Sequence, residues 1–303
     1  MIEIVFLGTS SMFPTEKRAH SSIFIRDGPE NILFDCGESC QRQMRIAGLS
    51  PMKINRIFIS HWHGDHALGL SGLIQSMAAN KRSEKLYVYG PKGTEKFMYH
   101  LLRSFAFDMR FKIEINEIMP KGKAHRIVDE DAFAVEAFPL QHIIPCCGYS
   151  FIEKGKRKID IEYIKKHLGI TQNPILGDLQ KGKNITYEGK KVLASKATFT
   201  TPDKKLVYIA DTAYFKGIEK FAKDADILIS EATYASDVGG RAEEYSHLTA
   251  ADSAKIAKDS GAKKLILTHF SQRYTSVKPL EEDAKKIFPY VAMANDFDKF
   301  VIN

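Results

Sequence analysis

The sequence predicts an α/β protein in which two β-sheets pack face to face and helices cover both outer faces, a four-layer αββα sandwich. Three observations predict it. Short apolar runs of strand composition fall into two sets, helix-favouring stretches follow each set, and isolated His and Asp residues stand at the C-terminal ends of several runs, where the loops of sheet proteins carry chemistry. A chain of 303 residues with 44% hydrophobic and 27% charged residues has ordinary globular usage and can bury a substantial core.

In chain order, short strands come first and the stretch from Ala67 to Ala79 favours a helix. Strands follow near Leu86 to Tyr89, Ile113 to Ile118 and Phe133 to Phe138, and a second strand set begins at about Leu206. Helices are predicted over Tyr214 to Ala222, Thr249 to Ser260 and Pro279 to Ile287, with Thr249 as N-cap and Gly261 as a C-terminal stop. The start Met1-Ile2-Glu3-Ile4-Val5-Phe6 is acidic where an export signal is basic, and no apolar run approaches a membrane span, so a cytoplasmic protein is expected. Cys36, Cys40, Cys146 and Cys147 lack a zinc-knuckle spacing and are expected to be buried thiols.

The segment Ser60-His61-Trp62-His63-Gly64-Asp65-His66 places three imidazoles and a carboxylate directly after the apolar run Arg56-Ile57-Phe58-Ile59, in a chain with only 10 His. Zinc takes imidazole nitrogen and carboxylate oxygen, and a catalytic zinc keeps a position open for water. His61 and His63 can face one ion while Asp65 and His66 face a second; a solvated polar turn is the competing reading. The spacing excludes the His-Glu-x-x-His pattern, which sets both imidazoles on one helix face.

Such a motif completes two coordination shells only with help from elsewhere. His142 follows the run Ala134 to Gln141, Asp211 follows Leu206 to Ala210, and His269 follows Lys264 to Thr268. Each alone would pass for a loop-end residue; with the first motif they make seven candidate ligands. Their spread from His61 to His269 means that one site needs both halves, so residues 1–303 read as a single domain on an internal pseudo-repeat.

Residues 153–205 differ in kind. They hold 13 Lys and Arg against 6 acids, an excess equal to the +7 of the whole chain. A solvated lysine-rich loop is the bland reading. Its position between His142 and Asp211 suggests that both its ends lie near the site, where a basic protruding arm would meet a phosphodiester through salt-dependent, sequence-blind contacts.

Further segments carry a resemblance. Phe6-Leu7-Gly8-Thr9-Ser10, Phe34-Asp35-Cys36-Gly37-Glu38, Gly148-Tyr149, Asp211-Thr212, Glu231-Ala232-Thr233, Ser246-His247-Leu248-Thr249-Ala250 and Thr268-His269-Phe270-Ser271-Gln272-Arg273-Tyr274 resemble the metallo-β-lactamase superfamily and, within it, the short-form ribonuclease Z family of tRNA 3′-processing endonucleases. The resemblance implies the αββα fold, two Zn2+ per subunit with Mn2+ as the alternative metal, a homodimer, and an arm that grips precursor tRNA. It assigns His61, His63 and His142 to one ion, Asp65, His66 and His269 to the other, and Asp211 to both.

Two such ions can activate a shared water near neutral pH for in-line displacement, so the tRNA should leave with a 3′-hydroxyl and the trailer with a 5′-phosphate. Asp65 is the expected proton acceptor and His247 the expected acid for the leaving oxygen, oriented by Glu231. Asp35 and Glu38 are expected to be structural or to support the metal-bound imidazoles. Two other readings stay open, a small-molecule phosphodiesterase or thioester hydrolase on the same fold and a non-catalytic RNA-binding protein. The basic insertion speaks against the first and the complete ligand set against the second.

Overall fold

In the computed structural model, which describes residues 1–303, the long strands divide into two seven-stranded sheets. The first runs in the order Lys299–Ile302, Ile2–Gly8, Ser22–Asp27, Glu30–Phe34, Arg56–Phe58, Leu86–Pro91 and Ile113–Ile118. The second runs Val291–Met293, Leu265–Thr268, Ile227–Glu231, Lys204–Ile209, Cys146–Glu153, Phe133–Leu140 and His125–Asp129.

Alternation along each strand builds the layers. Ile4 and Phe6 enter the core shared with the second sheet, while Val5 and Leu7 enter the core with Met44 of helix Cys40–Ile46 and Leu73 and Met77 of helix Gly69–Ala79. Across the sheets Phe34 stacks on Tyr149 and Tyr208, with ring centroids 5.7 and 5.6 Å apart. Each such pair adds about 0.5–1.5 kcal/mol beyond its buried area. On the far side of the second sheet, helix Ala250–Ser260 begins with a capping box between Thr249 and Asp252 and ends at Gly261 in the left-handed conformation.

Strand direction positions the site. Glu30–Phe34 and Arg56–Phe58 are parallel, as are Lys204–Ile209, Ile227–Glu231 and Leu265–Thr268. Phe133–Leu140 runs the same way as Lys204–Ile209, because each is antiparallel to Cys146–Glu153 between them. Parallel strands end on one edge, so Asp35, the His61 segment, His142, Asp211, Glu231 and His269 all emerge there. The sheets are clipped at that edge by Tyr149, whose hydroxyl donates to the Ile59 carbonyl at 2.7 Å, and by the Cys147 amide on the Ser60 carbonyl at 2.9 Å.

Three expectations need correction. The strand set does not divide at the insertion: Phe133–Leu140 belongs to the second sheet, and the final strand returns to the first, antiparallel to Ile2–Gly8. The helix expected over Tyr214 to Ala222 is only a 3-10 turn, Ile218–Lys220, because Gly217 takes φ 101° and breaks the run. The third concerns residues 153–205, which leave the sheet at the end of Cys146–Glu153 and return at the start of Lys204–Ile209, with Glu153 opposite Lys204. Those strands carry their site-edge residues at the other end, so the root of the insertion lies about 25 Å from the site, given about 3.3 Å per strand residue. Its ends are therefore not beside the candidate ligands.

The insertion folds on itself. Arg157–Ile159 pairs with Thr198–Thr200 and Ile185–Tyr187 with Lys190–Val192, over a small core of Ile164, Leu168, Leu176, Leu179, Ile185 and Val192. Asp160 caps helix Ile161–Leu168 by accepting from the Tyr163 amide at 3.0 Å. No helix of the protein is long and apolar enough to cross a membrane. The four cysteines are buried free thiols.

Candidate metal centre

The strand Arg56–Phe58 ends just before Ser60, and the chain then enters a short helix, Gly64–Ala67, with His63 extended at its N-cap. This turn spreads the four motif side chains over two neighbouring clusters. His61, His63, His142 and Asp211 form one group of candidate donor atoms and Asp65, His66 and His269 form another, the atoms within each lying within 4.8 Å of one another. His61, His66, Asp211 and His269 are almost wholly buried.

In the first group His61 Nε2 lies 3.0 Å from His63 Nδ1, His142 Nε2 lies 3.3 Å from His63 Nδ1, and His61 Nε2 lies 3.6 Å from Asp211 Oδ2. In the second His66 Nε2 lies 3.2 Å from His269 Nε2, and Asp65 Oδ2 lies 3.5 and 3.4 Å from those two nitrogens. Asp211 Oδ1 completes it at 3.5 Å from His66 Nε2 and 3.4 Å from His269 Nε2. A tetrahedral ion with bonds of about 2.0–2.1 Å has ligand edges of about 3.3–3.4 Å. Asp211 alone contributes an oxygen to each group.

Outer contacts fix which nitrogen of each ring faces inward. His66 Nδ1 donates to Asp35 Oδ2 at 2.8 Å and His142 Nδ1 donates to the Ser246 carbonyl at 3.1 Å. Ser60 Oγ donates to Asp35 Oδ2 at 2.8 Å and so accepts from His61 Nδ1 at 3.0 Å. Thr233 Oγ1 donates to Glu231 Oε2 at 2.6 Å and so accepts from His269 Nδ1 at 2.9 Å. Four rings thus turn Nε2 inward, His61 and His142 towards His63 Nδ1 and His66 and His269 towards each other. His66 Nε2 and His269 Nε2, with both Nδ1 atoms engaged outward, face each other at 3.2 Å, where two lone pairs repel unless a cation or a proton sits between them, and Asp211 Oδ1 is buried without any hydrogen-bond partner. The residues present fit two metal ions.

Electrostatics agree. Burial, with His66 and other imidazoles nearby, holds His61 well below the usual histidine value, and burial lowers His63 and His142 as well, which leaves their lone pairs free. Burial works against a charged His66, but Asp211, Asp65 and Asp35 outweigh it and raise that ring, so this half of the site favours positive charge. Burial would raise the Asp65 carboxyl, yet His66 and His269 keep it ionised, well below the carboxylate range.

His247 stands beside both groups, with Nδ1 donating to Glu231 Oε1 at 3.0 Å and 3.9 Å from Asp211 Oδ2. Burial opposes its charge; Glu231 and Asp211 override that and set its pKa at about 9. Glu231, itself buried, also accepts from the Thr212 amide at 2.9 Å and holds Thr233, so one carboxylate orients His247 directly and His269 through a hydroxyl.

Of the two carboxylates expected to support the imidazoles, Asp35 does so and Glu38 does not. The Glu38 side chain is 61% exposed and faces His20, whose Nδ1 is 3.8 Å away, rather than any candidate ligand. Sequence reasoning gave no role to Tyr208, whose hydroxyl donates to Asp35 Oδ2 at 2.7 Å, or to Met12, whose amide donates to Asp65 Oδ2 at 2.7 Å. Neither leaves a sequence signal, since one is an ordinary strand tyrosine and the other acts through its backbone. Thr233 did stand in a recognised segment, but nothing in the spacing tied it to His269.

Two family models divide the chain: one described as Anti-Pycsar protein Apyc1 matches residues 2–154, and one described as Beta-lactamase superfamily domain matches residues 177–270. Proteins named ribonuclease Z are similar over both halves and the insertion together. The one from Methanothermobacter thermautotrophicus is 38% identical over 298 residues, covering 98% of this chain and 95% of its own. That from Pyrococcus abyssi is 42% identical over 306 residues, covering 100% and 96%. Among solved structures, human tRNase Z, short form, matches 99% of both chains with a TM-score of 0.74 at 26% identity. The metallo-beta-lactamase fold protein YhfI from Bacillus subtilis, at 18% identity and a TM-score of 0.71, shares the fold. Likeness of this extent across the whole length settles the lineage: the chain belongs to the ribonuclease Z family.

Proposed function

We propose that this protein is a metal-dependent endoribonuclease that removes the 3′ trailer from precursor tRNA, and that His61, His63, His142 and Asp211 hold one ion while Asp65, His66, His269 and Asp211 hold the other. The observation that carries the reading is the inward turn of imidazole nitrogens, at 3.0–3.6 Å from their neighbours, around two centres that share Asp211. The donor set suits zinc, with manganese as the alternative. Bound there, the ions supply an activated water near neutral pH and neutralise charge on the phosphoryl oxygens.

The chain's own residues do the rest. Asp65, ionised and at the rim of the second group, accepts the proton of the attacking water. His247, protonated at neutral pH and held by Glu231, donates to the leaving 3′-oxygen. Bond cleavage in that sense leaves a 3′-hydroxyl on the tRNA and a 5′-phosphate on the trailer.

The basic insertion, with its own core and a root about 25 Å from the site by strand length, suits contact with tRNA far from the cleavage point. A homodimer is part of the proposal because the ribonuclease Z resemblance implies it. The reading places the reaction in the cytoplasm, on precursor tRNA.

Incubating purified protein with a precursor tRNA carrying a 3′ trailer, with and without chelator, tests this. A single metal-dependent cut giving a 3′-hydroxyl is expected. Absence of that cut, with turnover of a cyclic nucleotide or thioester instead, overturns it.

A further inference from the structure

Beside the candidate centre lies a histidine outside the ligand set and the proposed acid. His20 is buried, only 5% exposed, at the end of the loop that begins at Ser10. The neck of the loop is closed by the Thr9 and Ser10 amides on the Ala19 carbonyl at 3.0 and 2.9 Å, while Met12 and Phe13 at its tip are exposed. The His20 backbone is packed closely on both sides. A Cβ on Gly8 would lie 1.9 Å from the His20 carbonyl oxygen, and one on Gly37 would lie 2.5 Å from His20 Cβ and 2.4 Å from the Asp65 carbonyl oxygen. Two glycines therefore clamp the His20 backbone against the segment that carries Asp65.

From that fixed position His20 Nε2 meets the Met12 carbonyl at 3.1 Å. A carbonyl only accepts, so Nε2 carries a proton, and the buried Nδ1 makes no hydrogen bond, with Glu38 Oε2 3.8 Å away. Burying an imidazole with one unmet nitrogen costs free energy that an apolar residue of similar size would avoid. The contact is spent on a strained residue, since Met12 takes φ 33°, in the left-handed region that non-glycine residues rarely adopt. The other side of the same residue, its N–H, donates to Asp65 Oδ2 at 2.7 Å, and Oδ2 is the oxygen that faces His66 and His269.

We infer that His20 is a positioning residue for the reaction: by donating to the Met12 carbonyl it locks that residue so that its amide orients the metal-facing oxygen of Asp65. The inference rests on the proposed role of Asp65. A carboxylate oxygen has a second lone pair, so the amide fixes the carboxylate plane while the first stays available to an ion. Such outer contacts to a ligating group are worth about 10–100-fold in affinity or activity.

The test compares His20→Gln with His20→Asn, using Asp65→Ala as the control. The Gln amide overlays Nε2 and can donate to the Met12 carbonyl, whereas the Asn amide overlays Nδ1 and falls short. For His20→Asn, kcat on a precursor tRNA is expected to fall about tenfold with KM unchanged, and zinc affinity of the weaker site, measured by chelator competition, to fall by a similar factor. Trypsin should also cut metal-free His20→Asn faster after Lys17. His20→Gln should restore all three readouts. Equal behaviour of the two variants, failure of both to fold, or an unchanged kcat and zinc affinity in His20→Asn overturns the inference. If Asp65→Ala keeps its activity and zinc affinity, the reading of Asp65 fails and takes the inference with it. If Asp65→Ala loses both while His20→Asn loses neither, the inference alone fails.

Discussion

Asp35 Oδ2 accepts from His66 Nδ1 at 2.8 Å, and the same carboxylate takes the Ser60 amide at 2.7 Å. The Tyr208 hydroxyl, from the other sheet, also sits on Oδ2, at 2.7 Å. Asp35 thereby fixes one ligand ring and ties the two sheets at the edge where the site forms. Asp35→Asn should weaken metal binding about 10–100-fold, read by chelator competition, while circular dichroism stays that of the folded protein. Unchanged affinity would make Asp35 a purely structural residue.

Asp65 lies at the rim of the centre rather than in the core. Asp65→Ala is expected to abolish turnover and leave precursor tRNA affinity nearly intact, as measured by filter binding. A large loss of binding would show that the carboxylate also shapes the substrate surface.

Glu231 reaches both His247 and, through Thr233, His269. His247→Ala should lower kcat by about 10²–10⁴-fold, the range for losing a general acid. Glu231→Gln should lower kcat by a smaller factor, because the amide oxygen still accepts from Nδ1 but no longer holds the charge. Metal content by elemental analysis should be unchanged in His247→Ala, and loss of an ion there would make His247 a ligand.

Metal removal should destabilise the protein. At free metal about 1,000 times its Kd, binding of one ion to the native state alone contributes about 4 kcal/mol, so loss of even the tighter-held ion is visible. At roughly 2–4 °C per kcal/mol, chelation should lower Tm by about 10 °C. Calorimetry with and without chelator, followed by zinc or manganese restoration, checks this and separates the two metals.

The insertion holds its own small core and leaves the sheet at adjacent strand ends. Replacing residues 157–200 by a short Gly-Ser link should keep the fold, raise KM for precursor tRNA and spare a small phosphodiester. Equal losses on both substrates would mean that the insertion supports the centre.

What the sequence determined by itself was local chemistry. The cluster from His61 to His66 announces its ligand types, strand-like runs announce where His142, Asp211 and His269 emerge, and Thr249 as N-cap and Gly261 as stop mark the ends of one helix, because each depends on neighbours a few residues away. Tertiary structure decided what depends on distance in space. Strand pairing and direction put the six loop ends on one edge, sent the basic insertion to the opposite end, and returned Lys299–Ile302 to the first sheet. Glu38 and Asp35, three residues apart, looked alike in sequence, yet the left-handed turn at Asp35, φ 59°, aims only that carboxylate at His66. Met12 and Tyr208 reach the centre through one amide and one hydroxyl. Hydrogen bonds of that kind form wherever the packed sheets bring donor and acceptor together, and no residue pattern along the chain records them.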